Sequence, residues 1–272
     1  MAQLFQVGAG SGGMPVLDMV CRDPRITRVI LVEPDVYKPH NVERHLFPRS
    51  AVGERKADLA VRWLRERRPD LEVQAVVSDL RDPAMAATLD EAARSADLGI
   101  CAADNEPTKF HWDALMRKHG KPWTLGEVLS GGIGGFVHAF VPGGPCYGCV
   151  ASRLQRDVVV DRPPAPDYSL PNGPVQETTM PASKASIQVI ASLHALVTLY
   201  LLDDPSAGAL DFTSLLVTLR KVPDVFEEAF RPHRFRVTRS PDCLICRERP
   251  APSTPEDLDV ALAEALARLG DK

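Results

Sequence analysis

Four cysteines fall into two pairs, Cys146-x-x-Cys149 and Cys243-x-x-Cys246. Each pair can give two thiolates to one ion, and four thiolates make a tetrahedral zinc site with no open position. The gap between the pairs is far longer than in a zinc finger, so they must meet through the fold. A closed four-thiolate site implies a structural Zn2+ that clips the end of the chain to the region after the sheet. A second constellation is Gly8-Ala9-Gly10-Ser11-Gly12-Gly13, directly after an apolar run at 4–7. Here Gly8, Gly10, Gly12 and Gly13 let the backbone turn sharply and approach phosphate, while the next helix offers N–H donors at its start. Glu33 closes the next apolar run at the spacing of a ribose-binding acid, with Asp35 two residues on.

The same stretch, EPDVYKPHNVERHLF (33–47), also carries Arg44, and Lys56 follows twelve residues later. Hydride transfer gives such cations little to do. Cleavage between the α- and β-phosphates of ATP builds negative charge that fixed cations stabilise. Asp104-Asn105 follows the fourth apolar run, where open α/β sheets bind ligands, and its carboxylate suits Mg2+. Taken singly, Arg44 and Lys56 are surface cations and Asp104 is a helix cap. Their joint placement around one crevice favours catalytic roles for Arg44, Lys56 and Asp104.

The elements that would position these groups alternate. Apolar runs at 4–7, 28–32, 71–77 and 96–103 read as strands, and 54–68, 83–94 and 107–120 read as helices. Strands follow at 122–129 and 134–141. This predicts a Rossmann-like, doubly wound, mostly parallel sheet with a C-terminal antiparallel extension. After Val141 comes a turn-rich cysteine segment, then a proline-rich crossover over 150–183. An apolar helix at 185–202 and strands at 211–220 and 234–240 complete that part. The chain is thus divided into an ATP-binding part (1–145), a continuation of the same domain with crossover, buried helix and zinc knuckles (146–250), and a linker with a C-terminal helix (251–272). That helix has a cap at Thr254-Pro255, a stop at Gly270 and a stripe of Leu258, Leu262, Leu266 and Leu269.

Bulk properties narrow the classes. The 272 residues are 44% hydrophobic and 25% charged, with net charge −4 and pI near 6.0. A general nucleic-acid binder would be more basic. No run reaches membrane-span length and no signal peptide opens the chain, which predicts a cytoplasmic, reducing location. The six cysteines are then thiols or metal ligands, with Cys21 and Cys101 as buried inert thiols.

The ordered set Gly8–Gly13, Glu33-x-Asp35, HNVER (40–44), VGERKA (52–57) and AADN (102–105), together with both cysteine pairs, resembles the ThiF/MoeB branch of ubiquitin-activating-type enzymes. The resemblance covers nearly the whole chain. It implies ATP·Mg2+ binding and adenylation of the C-terminal carboxylate of a ubiquitin-fold (β-grasp) protein ending in Gly-Gly, with pyrophosphate as leaving group. Carried over, it implies that Glu33 holds ribose, Asn41 and Arg44 contact phosphates, Lys56 neutralises them and Asp104 positions magnesium. Glu33 replaces the family's common aspartate. It also implies a homodimer and a conjugating enzyme or sulfur donor as acceptor.

Two departures stand out. Residues 150–186 hold no cysteine, and Thr178 and Thr179 are poor nucleophiles without an adjacent base, so no thioester is expected on this chain. The N-terminal helix that lends an arginine across the dimer in relatives is not matched. Among the histidines, His194 reads as a satisfied core residue, while His40 and His45 flank Arg44 as phosphate contacts or solvated loop residues. Three competing readings remain: adenylation of a peptide or tRNA base, a nicotinamide oxidoreductase, and a non-catalytic scaffold binding a ubiquitin-like protein.

Overall fold

The computed structural model describes residues 1–154, 181–206, 208 and 210–247. The expected tail helix and most of the expected crossover lie outside them. Parallel pairing begins with β1 (Ala2–Val7) and β2 (Ile26–Val32), joined through α1 (Gly13–Val20). Each strand buries its last four residues in succession, as a strand covered on both faces must. The helix α2 (Lys56–Arg67) leads to β3 (Glu72–Val76), outside β2. The chain then crosses to the other side of β1. There α3 (Ala86–Ser95) feeds β4 (Leu98–Cys101), and α4 (Glu106–Lys118) feeds β5 (Trp123–Val128). The strand order reverses at β1, which opens a crevice at the carboxyl ends of β1 and β4.

β6 (Gly134–Phe140), β7 (Ser214–Thr218) and β8 (Pro232–Phe235) continue the sheet antiparallel. The result is one eight-stranded sheet in the order β3-β2-β1-β4-β5-β6-β7-β8, the expected fold class. Alternate strand residues feed two cores. Leu4, Val29 and Leu31 pack with α1, α2 and α6 (Lys184–Asp203), whereas Phe5, Val7, Ile30 and Val32 pack with α3 and α4. Contrary to the expectation from sequence, α6 is long and apolar enough to cross a membrane, but half of its apolar window is buried inside the protein, against α1, β5 and β6.

Two further expectations need correction. The segment read as turns through CYGC instead starts a helix, α5 (Tyr147–Leu154). The N–H groups of Cys149 and Val150 both donate to the Cys146 carbonyl, and this helical turn sets both thiols on one side. The last strand spans 232–235 rather than 234–240. Its ladder closes when the Val237 N–H donates to Thr213 Oγ1 at 2.8 Å. Beyond that the chain leaves the sheet, because Cys243 must return to Cys146.

Candidate nucleotide site and cysteine cluster

The glycine loop divides into two kinds of residue. Gly8 has φ +92°, and a Cβ there would lie 2.6 Å from the Ala102 carbonyl oxygen. A Cβ on Gly13 would lie 2.3 Å from the Gly8 carbonyl oxygen. These two glycines close the β1–α1 turn against β4. Gly10 and Gly12, by contrast, have nothing within 4 Å of a built Cβ and border a pocket of about 580 Å3. That volume is ordinary for a small-molecule site. The free space beside Gly10 and Gly12 is where a phosphate would come close to backbone N–H groups.

Glu33 sits 4% exposed at the end of β2. Its Oε2 accepts the Ala9 N–H at 2.6 Å and its Oε1 accepts the Asp35 N–H at 2.9 Å. Burial pushes the Glu33 carboxyl up, and the Lys56 charge and these two N–H groups oppose it. The carboxylate therefore joins the glycine loop to the 33–47 stretch and faces the pocket that both border.

That stretch is stitched to the start of α2. Val36 and Arg55 form an antiparallel bridge, the Lys56 N–H donates to the Asp35 carbonyl at 2.9 Å, and Lys56 Nζ donates to Asp35 Oδ2 at 2.8 Å. The Lys56 side chain is only 9% exposed, so its charge is held at the pocket wall. His45 explains the placement of the neighbouring Arg44. Its ring is buried, stacks on Phe47 and donates through Nε2 to the Ala9 carbonyl at 2.9 Å. Burial pushes His45 down to about 4, so it is neutral and its proton lies on Nε2. Lys184 Nζ donates to the His45 carbonyl at 3.1 Å, tying the start of α6 to the same loop. His45 is therefore a loop-packing residue, neither solvated nor facing a phosphate.

Gly8, Gly10, Gly12, Glu33, Asp35, Arg44, Lys56, Asp104 and Asn105 all line this one pocket. Two expected contacts do not. Gly13 is beneath the loop, and Asn41 uses its Oδ1 to accept the Lys38 N–H at 2.9 Å, closing a short turn at 39–41. Asn105 has a second task, since its Oδ1 accepts the Thr108 N–H at 3.0 Å and caps α4.

Sequence reasoning passed over Lys109 and Glu127, which also line the pocket. Lys109 reads in sequence as one more cation on a charged helix, and Glu127 as a lone acid in an apolar strand. The available signal was a polar residue in each of two successive apolar strands, Glu127 in β5 and His138 in β6. Their proximity depends on strand register.

The four cysteines converge as expected. All four Sγ atoms lie within 4.8 Å of one another. Cys146 and Cys149 are 3.8 Å apart, Cys146 and Cys243 3.6 Å, and Cys149 and Cys246 3.5 Å. Zinc–sulfur bonds of about 2.3 Å in a tetrahedron put the sulfurs roughly 3.8 Å apart, so the cluster fits Zn2+. Burial opposes ionisation of Cys243, but the Cys246 and Ile245 N–H groups and the other thiols bring it down to about 7. Burial pushes Cys21 and Cys101 up to about 12, leaving both as inert thiols. His194, also buried, shares a 2.9 Å hydrogen bond with Thr124 Oγ1, the satisfied core histidine expected.

Known proteins bear on this geometry. A sulfur carrier protein adenylyltransferase of Thermus thermophilus is 29% identical over 92% of this chain and 83% of its own length. A SAMP-activating enzyme E1 of Haloferax volcanii is 25% identical over 98% and 87%. Crystal structures of E. coli MccB superpose with TM-score 0.67 at 21% identity, covering 92% of this chain and 66% of MccB. One MccB structure contains ATP, with TM-score 0.64. At these identities the likeness to MccB concerns the fold. The ThiF family profile matches residues 2–244. With the sheet, the glycine loop and the cysteine cluster all in place, the chain belongs to the ThiF family.

Proposed function

We propose that this protein uses ATP to adenylate the C-terminal carboxylate of a ubiquitin-like, β-grasp carrier protein with a Gly-Gly type tail. The products are the acyl-adenylate and pyrophosphate. The observation that carries this reading is the convergence of Gly10, Gly12, Glu33, Arg44, Lys56 and Asp104 on one pocket at the switch point of the sheet. The names of the two relatives, which match over nearly the whole chain, support the adenylyltransferase reading and the kind of carrier.

In this reading Glu33 accepts from ribose hydroxyls, and the glycine-loop N–H groups receive phosphate oxygens. Arg44 and Lys56 stabilise the charge that grows on the phosphates as the leaving bond breaks. Asp104 would hold Mg2+, which supplies further charge neutralisation on the phosphate oxygens when bound. The enzyme contributes position and charge, and no covalent intermediate on the chain is needed. Four of the six cysteines meet in the cluster and the other two are buried, which supports a route without a thioester. The acyl group then passes to a sulfur donor or a conjugating enzyme. The reading keeps a cytoplasmic homodimer, which sedimentation velocity tests.

A peptide substrate is the second reading. It is prompted by the fold neighbour MccB, which has been solved in complex with N-formylated MccA. ATP–pyrophosphate exchange separates the two. Exchange that requires a ubiquitin-fold protein ending in Gly-Gly and is lost in Asp104→Ala supports the carrier. Exchange with short peptides alone supports the second reading, and activity that survives Asp104→Ala removes the assigned role of Asp104.

A further inference from the structure

Lys109 lies in the pocket wall one turn into α4, and the reaction as described leaves it unused. Its side chain is only 7% exposed, and its ammonium donates to Glu106 Oε1 at 2.7 Å and to Glu127 Oε1. The second oxygen of each carboxylate is engaged as well. Tyr147 donates its hydroxyl to Glu106 Oε2 at 2.8 Å. His138 Nε2 lies 3.0 Å from Glu127 Oε2, and its Nδ1 lies 2.8 Å from Ser214 Oγ. Residues from α4, β5, β6, β7 and α5 are thus devoted to fixing one ammonium. Taking these charges out of water is costly, and packing alone would be served as well by apolar side chains. An ammonium has three donors and the two carboxylates use two, which leaves one for a pocket ligand.

The neighbouring strand indicates which ligand. Pairing of β4 with β5 stops at Cys101↔Leu125, while β5 runs on to Val128 against β6. The Leu129 N–H donates to the Gly134 carbonyl. By the two-residue alternation of an antiparallel ladder, Glu127 and Leu129 point their backbone groups at β6. The Gly126 N–H closes the last parallel pair with β4, and beyond it the Gly126 carbonyl and the Val128 N–H and carbonyl point to the side that β4 has left. Both residues line the pocket, and no described strand pairs with that edge. An uncovered edge is a template for an extended chain. The carboxyl end of β5 points out of the sheet toward the pocket. A tail that enters by its own C-terminus therefore runs antiparallel to β5, and its end arrives at Lys109 and Asp104.

We propose that Lys109 receives the C-terminal carboxylate of the tail, which lies antiparallel along the Gly126–Val128 edge. Glu106 and Glu127 hold the ammonium there, and His138 and Ser214 are positioning residues behind Glu127. This assignment rests on the adenylation reading and adds the acyl side to it. One carboxylate oxygen accepts from Lys109 and remains on carbon as the carbonyl. The other forms the bond to the α-phosphorus. The bond from that phosphorus to the bridging oxygen of pyrophosphate breaks, and its electron pair leaves with pyrophosphate. Lys109 relieves the repulsion between the two anions as they meet.

The test is ATP–pyrophosphate exchange by the zinc-loaded full chain with Gly-Gly-ending ubiquitin-fold proteins, beside calorimetric titration with a non-hydrolysable ATP analogue. Lys109→Met is expected to raise the KM for the carrier roughly ten- to hundred-fold, the range of a charge-assisted hydrogen bond, and to leave analogue affinity within about twofold. Lys109→Arg is expected to restore most of the carrier KM, and Ser214→Ala, a milder change that keeps the charges, to raise it a fewfold. Loss of analogue affinity in Lys109→Met makes Lys109 a phosphate cation and overturns the assignment. An unchanged carrier KM in both Lys109→Met and Ser214→Ala overturns it too. Absence of exchange in the wild type with every carrier sinks the adenylation reading itself, and the assignment with it.

Discussion

A methyl group on Gly8 would stand 2.6 Å from the Ala102 carbonyl oxygen, whereas one on Gly10 would meet nothing within 4 Å. The two glycines serve different ends, the first the fold and the second the ligand. Gly8→Ala is therefore expected to destabilise the protein by about 2 kcal/mol or more, from the backbone clash and the positive φ. Gly10→Ala is expected to fold with stability changed by less than about 1 kcal/mol while ATP affinity falls at least roughly tenfold. Urea unfolding and calorimetric ATP titration of both variants check this contrast. Equal loss of stability in the two would contradict it.

Lys56 and Asp35 form an unequal pair, with 9% and 55% of the side chains exposed. The half-exposed carboxylate makes the ion pair a weak source of stability. Lys56→Met is expected to lower kcat/KM for pyrophosphate exchange by roughly 10²- to 10³-fold, the scale for loss of a fixed charge-stabilising donor. Its unfolding free energy is expected to move by no more than about 1 kcal/mol. Exchange kinetics beside chemical unfolding separate these effects.

His45 gives a pH signature. Burial lowers its folded value from 6.5 to about 4, so the unfolded chain binds the extra proton between those values. The contribution of a neutral His45 is present above about pH 6.5 and is lost as pH falls toward 4, amounting to about 3 kcal/mol in total. His45→Gln keeps a donor for the Ala9 carbonyl and does not titrate. Its stability curve over that window is expected to be flatter than that of the wild type in urea melts at stepped pH.

Glu127 acts lower on the scale. Burial opposes its ionisation, but the His138 hydrogen bond and charge and the Lys109 ammonium bring it to about 2 from 4.5. Its stabilisation is present above about 4.5 and is lost as pH falls toward 2. Glu127→Gln is expected to be less stable than wild type at pH 6 and to lose less stability on acidification to about pH 3. The same unfolding series reads both.

The cysteine cluster predicts one zinc per chain. Cys243→Ser is expected to remove most of the metal, as read by native mass spectrometry, and to lower Tm. In the intact protein thiol alkylation is expected to be slow at all six cysteines. A chelator should open the half-buried Cys243 to fast reaction first and leave Cys21 and Cys101 protected by burial. Fast labelling of Cys101 in the chelated but folded protein would contradict that assignment.

Much of this molecule was legible in the residue order. Apolar runs of β-branched residues, each followed by a helical pattern, determine the parallel half of the sheet, because a strand covered on both faces has no polar side. Glycine spacing, the acid at the end of β2 and the paired Cys-x-x-Cys knuckles likewise name their chemistry, since each depends on residue type at short range. Tertiary structure decided what short range cannot carry. It ended β8 early so that Cys243 could reach Cys146. It also brought Ser214, His138, Glu127 and Lys109 into one line. Those four lie on separate strands and a helix, and only the register of β5, β6 and β7, set by burying their other side chains, places one beside the next.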